Sequence, residues 1–185
     1  MSDIGMMRMN AIDSIRNNWG WFLALGIIFI VGGVFAIFAP GAASLAVTLV
    51  VAIVFMWVGI MQIIGAFSDR SGGGFIWQLL IGLIMLIGGL AVYFNPVLGA
   101  LTLTIVVAAM FIAKGVFQVI MAFQIRPHGS WGWVLVAGIL AIVVGLLIWS
   151  EWPISGLWAL GTLAGISLIF SGWSYVMMAM LARRV

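Results

Sequence analysis

Residues 77–96 read WQLLIGLIMLIGGLAVYFNP, an apolar stretch that begins with tryptophan and ends with proline. Within it, Gly82 and Gly89 are seven residues apart. A helix of about 20 residues, at 1.5 Å per residue, crosses the roughly 30 Å hydrocarbon layer of a membrane. The stretch therefore predicts a transmembrane helix over 77–94, followed by a proline turn.

The same pattern occurs three times along the chain. Each copy has a tryptophan, two glycines, a proline, a third glycine and an arginine, at spacings that agree to within one residue. The markers are Trp21, Gly26, Gly33, Pro40, Gly59 and Arg70; Trp77, Gly82, Gly89, Pro96, Gly115 and Arg126; and Trp133, Gly138, Gly145, Pro153, Gly172 and Arg183. This agreement indicates an internal repeat with copies over about 19–70, 75–126 and 131–184.

The composition excludes a soluble protein. Of the 185 residues, 66% are hydrophobic and 6% are charged, whereas soluble domains carry roughly a quarter of their residues as charges. The absence of cysteine excludes disulfides, thiol nucleophiles and thiolate metal sites. The net charge of +3 is small and dispersed, so membrane orientation explains it better than nucleic-acid binding.

Six apolar spans are expected near 19–38, 43–67, 77–94, 98–124, 131–150 and 155–181. Each copy then contains two helices joined by a tight proline turn. The sequence thus predicts an all-α integral membrane protein, with residues 19–185 forming one domain of three helical hairpins. Equal hairpins with equal glycine positions further predict a pseudo-three-fold axis.

Residues 1–18 form the one extended polar stretch. Apolar residues recur within it at three- and four-residue spacing, which predicts an amphipathic segment in the membrane interface, with a frayed terminus as the alternative. Two arginines before the first span and small residues after it also suggest a cleaved signal peptide. Because the first span carries the repeat markers, we expect it to belong to the fold.

Basic residues lie on one side of the predicted spans. The proline turns carry none, and the last turn contains Glu151. By the positive-inside rule, this asymmetry predicts that both termini are cytoplasmic and that the proline turns are outside. The basic residues are Arg8, Arg16, Arg70, Arg126, Arg183 and Arg184.

The paired glycines of each copy lie two helical turns apart on one face of an odd-numbered span. Small residues let helices approach closely, and in lipid close packing supplies association energy that water exclusion supplies elsewhere. We expect these glycines to mediate helix packing; a pore lined by glycine is the alternative.

Lys114 is the ionisable residue of note within the apolar spans. A lysine at the centre of a transmembrane helix costs about 2.5–3.5 kcal/mol on insertion scales. One interpretation is a site for an anion or a lipid headgroup, or a polar gate. The other is a lysine that extends along its own stem toward the cytoplasmic interface.

Hydrogen-bonding residues recur near Lys114 in the repeat. Gln118 is one helical turn further on, its counterparts are Gln62 and Tyr175, and Ser171 is the counterpart of Lys114. About a pseudo-three-fold axis these side chains would lie at similar depth, which makes them a candidate intramembrane polar site. The alternative is that each bonds a nearby backbone carbonyl.

No catalytic constellation is visible. Glu151 belongs to a proline turn and His128 to a loop, so the spans lack the carboxylates and histidines of a proton relay. A single histidine without cysteine cannot build a zinc site. We therefore expect no enzymatic activity, no cofactor and no metal.

Several local patterns resemble the HdeD family of bacterial inner-membrane proteins. The residues that carry the resemblance are Arg70-Ser71 with Trp77 and Gly82, Asn95-Pro96, and Gly129-Ser130-Trp131 with Gly138. The resemblance covers nearly the whole chain after residue 18. It implies a setting in acid-stress resistance and supplies no catalytic residues.

Two functions remain open from the sequence. The first is a non-enzymatic inner-membrane protein of HdeD type, acting in acid or general stress tolerance or as an accessory to a membrane assembly. The second is a small channel or transporter with a polar site around Lys114. Besides the lipid bilayer, the expected partners are another membrane protein or further copies of the chain, and no nucleic acid.

Overall fold

The computed structural model describes residues 19–68, 74–126, 129 and 131–184, and the regular structure in these ranges is entirely helical. The predicted interfacial segment 1–18 lies outside the described residues, as do Arg70 and His128. The long helices are α1 (Trp19–Phe38), α2 (Pro40–Ser68), α3 (Phe75–Phe94), α4 (Pro96–Gln124), α5 (Trp131–Ser150) and α6 (Ala159–Arg184).

These helices confirm the all-α membrane fold. In the part of the chain that the structure describes, six helices are long and apolar enough to cross a membrane. Both α2 and α4 begin at their proline, two or three residues earlier than predicted, because proline lacks an N–H group and suits the first position of a helix.

The third proline turn differs from the other two. Residues Ile154–Leu157 form a 3-10 helix, and α6 begins only at Ala159, so the prediction of a span from about 155 was wrong there. The Ser155 hydroxyl donates a hydrogen bond of 2.7 Å to the carbonyl oxygen of Ile148 in α5. This bond ties the 3-10 helix to α5, and α6 begins two residues after the 3-10 helix ends.

The chain forms two compact units. Among the described residues, the first comprises 19–43 and 161–184, and the second comprises those between 44 and 160. Within the first unit α1 packs on α6; within the second, α2 packs on α3 and α4 packs on α5. Each packed pair therefore joins an even-numbered helix to the first helix of the next copy, with α6 paired to α1. The single domain and the pseudo-three-fold axis stay predictions.

Glycine–glycine contacts hold the three pairs in the same way. A Cβ atom placed on the first marker glycine of a copy would lie 2.9–3.0 Å from the carbonyl oxygen of a glycine in the partner helix. Such a distance is too short for a side chain, so the backbones themselves are in contact. The contacts are Gly26 with Gly172, Gly82 with Gly59, and Gly138 with Gly115.

The second marker glycines repeat this arrangement. A Cβ atom on Gly89 would lie 2.8 Å from the carbonyl oxygen of Ala52, and one on Gly145 would lie 2.8 Å from that of Ala108. The prediction that these glycines mediate helix packing is confirmed, and the equivalent contacts expected from the repeat are present in all three pairs.

Candidate intramembrane polar site

Lys114 lies on the exposed surface of α4. Its neighbour Gly115 is buried against α5, where an added Cβ atom would lie 2.6 Å from the carbonyl oxygen of Gly138. The contact thus directs Gly115 inward and leaves Lys114 on the surface. Among the residues that the structure describes, none forms an ion pair or a hydrogen bond with Lys114.

The contact with Gly138 also fixes the depth of Lys114. Helix α5 has 20 residues, which corresponds to the roughly 30 Å thickness of the hydrocarbon layer. Gly138 is seven residues after Trp131 and 12 residues before Ser150, or about 10 Å and 18 Å at 1.5 Å per residue. If the ends of α5 mark the boundaries of the hydrocarbon layer, Lys114 lies about 10 Å inside it.

The other predicted site residues fall into two sets. Gln118 and Gln62 belong with Lys114 to the second compact unit, and Ser171 and Tyr175 belong to the first. Gln118 and Gln62 are both half-buried. Whether the two sets meet at one site stays a prediction.

Gln62 faces α3. Its Cβ atom would lie 3.1 Å from a Cβ atom placed on Gly82, and its buried Oε1 atom has no hydrogen-bond partner among the described residues. Gln78 of α3 reaches the same interface, with its Nε2 atom 3.0 Å from a Cβ atom placed on Gly65. The sequence analysis did not identify Gln78. The repeat contains a signal for it, because Gln78 is polar where its counterparts Phe22 and Val134 are apolar.

Tyr175 is part of an aromatic cluster. Its ring stacks on Phe22 with a centroid distance of 6.4 Å and meets the edge of Phe29 at 5.6 Å. Both phenylalanines belong to α1, so Tyr175 stabilises the α1–α6 pair through its ring. The polar role predicted for its hydroxyl stays a prediction.

A second set of polar residues lies in α2 and α4, about 12 Å along each helix from its proline. Thr48 and Thr104 each follow the proline of their copy by eight residues, and both are fully buried. The Thr48 hydroxyl donates a hydrogen bond of 2.8 Å to the carbonyl oxygen of Ser44, whereas the Thr104 hydroxyl oxygen has no partner among the described residues. The equal spacing was a signal that sequence reasoning did not use.

Neither end of α5 adds a catalytic group. The Arg126 guanidinium lies 4.3 Å from the centre of the Trp131 ring, a cation–π contact between the end of the α4 segment and the start of α5. Glu151 is exposed in the turn after α5. Within the described ranges, no three histidine, cysteine, aspartate or glutamate residues lie close enough together to hold a metal ion.

Comparison with known proteins identifies the family. A family model described as a short repeat of unknown function (DUF308) matches residues 24–94 and again 80–150, which agrees with the internal repeat. Protein HdeD of Escherichia coli (strain K12) and Protein HdeD of Shigella flexneri are each 32% identical over 158 residues, covering 83% of this chain and 80% of the relative. No solved structure shows a significant match. The chain belongs to the HdeD family and is a multi-pass protein of the inner membrane.

Proposed function

We propose that the protein is a non-enzymatic inner-membrane protein that acts in acid or general stress tolerance or as an accessory to a membrane assembly. The observation that carries this proposal is membership of the HdeD family, at 32% identity over 83% of the chain. The stress role comes from the family resemblance. The accessory role is supported by the exposed position of Lys114, which directs a charged group away from the protein's own helix interfaces.

A small channel or transporter is the second candidate. A polar path would require hydrogen-bonding side chains along several helices, facing a common interior. In the second unit, the buried Thr48 lies about 12 Å along α2 from Pro40, and Gln62 lies about 21 Å further along the same helix. Between them the α2–α3 interface is closed by backbone contacts at Gly59 and Gly89. This arrangement favours the accessory role over transport.

Survival of the host bacterium at low pH tests the proposed function. We expect deletion of the gene to lower survival and the wild-type gene to restore it, whereas Lys114→Met should insert normally and fail to restore it. The matched control is Val58→Met, because Val58 is the counterpart of Lys114 in the first copy and is also exposed.

Two results would contradict the proposal in different ways. Equal survival of the deletion strain and its parent, under acid and under other stresses, would reject the stress role. Full restoration by a well-folded Lys114→Met variant would reject a role for the lysine and leave the stress role standing.

A further inference from the structure

We propose that the exposed face of α4 around Lys114 binds a transmembrane helix of another protein, and that this helix carries an aspartate or glutamate at the depth of Lys114. The inference rests on the accessory role proposed above and names the chemistry of the partner. It follows from the depth of the lysine, the direction of its side chain and the positions of the acidic residues in this chain.

The depth of Lys114 prevents its ammonium from reaching the nearer membrane interface. The adjacent contact between Gly115 and Gly138 lies about 10 Å from the Trp131 end of α5. With bonds of about 1.5 Å, the four-carbon stem of a lysine carries its ammonium roughly 6 Å from the Cα atom. Even a fully extended side chain would end within the hydrocarbon.

The direction of α4 increases this distance. The Cα–Cβ bond of a helical residue tilts toward the N-terminus of its own helix. The N-terminus of α4 is at Pro96, on the side where α5 ends, because the two helices are antiparallel: Gly115 contacts Gly138 and Ala108 contacts Gly145. The side chain of Lys114 therefore leaves the backbone pointing away from the nearer interface.

These two facts argue against a lipid phosphate as the main counter-ion. Phosphate groups lie outside the hydrocarbon layer, in the headgroup region. An exposed ammonium at the depth of Lys114 without a partner is costly, and ionisable groups at such depth pair with other polar groups. A carboxylate on a neighbouring transmembrane helix meets this requirement at the correct depth.

A second copy of this chain cannot supply that carboxylate. The four acidic residues of the sequence are Asp3, Asp13, Asp69 and Glu151. None belongs to a long apolar helix: the first two precede α1, Asp69 follows α2, and Glu151 follows α5. Charge complementarity therefore requires a different protein.

The surface around Lys114 suits a helical partner. Met110, Phe117 and Met121 lie on the same face of α4, with 64%, 71% and 54% of their surfaces exposed. Their spacing of four, three and four residues around Lys114 forms one stripe on a helix. Methionine side chains adapt to different partner shapes, so the stripe can pack against a helix while the lysine pairs with its carboxylate.

Photocrosslinking in native membranes tests the proposal. A photoreactive phenylalanine analogue replaces Phe117, one helical turn from the lysine, in chains carrying Lys114, Lys114→Arg or Lys114→Met. We expect a discrete adduct with another protein in the first two chains and at least about tenfold less adduct in the third, because the unpaired carboxylate would remain buried. The same analogue at Met61, the counterpart of Phe117 on α2, should give no such adduct.

The identity of the partner residue completes the test. Mass spectrometry of the adduct should locate a transmembrane segment with an aspartate or glutamate, and replacement of that residue by asparagine or glutamine should remove the adduct. Adducts with lipid alone, with a second copy of this chain, or with a protein whose yield is the same for Lys114→Met would each overturn the proposal. The measurement uses unstressed membranes, so its failure is separate from a failure of the stress role.

Discussion

Gly88 and Gly89 are adjacent in α3, yet only one of them contacts another helix. A Cβ atom on Gly89 would lie 2.8 Å from the carbonyl oxygen of Ala52, whereas one on Gly88 would have no atom within 4 Å. The sequence predicts this difference, because Gly89 recurs in all three copies and Gly88 does not. Residue spacing can thus identify an interface glycine before any contact is known.

Replacement of each glycine by alanine should distinguish Gly89, at the helix interface, from Gly88, which contacts no other helix. Gly89→Ala forces α2 and α3 apart, and we expect a loss of about 1–3 kcal/mol in the free energy of unfolding. Gly88→Ala should be neutral or stabilising by up to about 1 kcal/mol, because alanine favours the helix. Equilibrium unfolding in lipid or detergent measures both, and equal stability of the two variants would show that Gly89 is not at a close interface.

Lys114 shows where prediction at the residue scale ends. The composition identifies it as an unusual charge, and the distance from Pro96 gives an intermediate depth. Its exposure and its distance from the end of α5 depend on which helix packs beside it, through the contact between Gly115 and Gly138. A one-dimensional pattern does not contain that pairing.

At the scale of helices, the apolar spans were predicted within a few residues, because a long hydrophobic run in lipid must satisfy its backbone hydrogen bonds as a helix. The exception is the third proline turn. Its copy has one additional residue between Gly145 and Pro153, and the structure places that residue in the turn after Ser150. The 3-10 helix that follows is tied to α5 by the hydrogen bond from Ser155 to Ile148, and the repeat does not predict this bond.

The three equivalent helix pairs differ in the chemistry of their contacts. The α2–α3 pair contains the amides of Gln62 and Gln78, and the α1–α6 pair contains the aromatic cluster around Tyr175. The repeat predicts that these positions correspond, since Gln62 and Tyr175 follow their prolines by the same number of residues. It does not predict which residues they contact, because Phe22 and Gln78 differ in type at equivalent positions.

At the scale of the whole molecule, membrane orientation is the first prediction. The one-sided arginines predict that both termini are cytoplasmic and that the three proline turns are outside. The chain contains no cysteine, so single cysteines near Pro40, Pro96 and Pro153 can be labelled without background. We expect an impermeant thiol reagent to label all three from the outer face of the membrane. Labelling from the cytoplasmic face alone would show the opposite orientation and contradict the prediction.

The pairing of α6 with α1 is the central structural claim. It makes the contact between the two ends of the chain equivalent to the contacts of α2 with α3 and of α4 with α5. The Phe29 ring of α1 lies edge-to-face with the Tyr175 ring of α6, with 5.6 Å between the ring centroids. A photoreactive group at Phe29 can therefore reach α6 without adding a side chain at a glycine contact.

The most direct test is photocrosslinking from a photoreactive phenylalanine analogue at Phe29, in a chain with a protease site inserted between α4 and α5. After irradiation in membranes and cleavage, we expect the two fragments to stay joined under denaturing conditions. The matched control places the same analogue at Phe35, also in α1 and 72% exposed, and its fragments should separate. Separation of the fragments of the Phe29 chain after irradiation would contradict the pairing of the first and last helices.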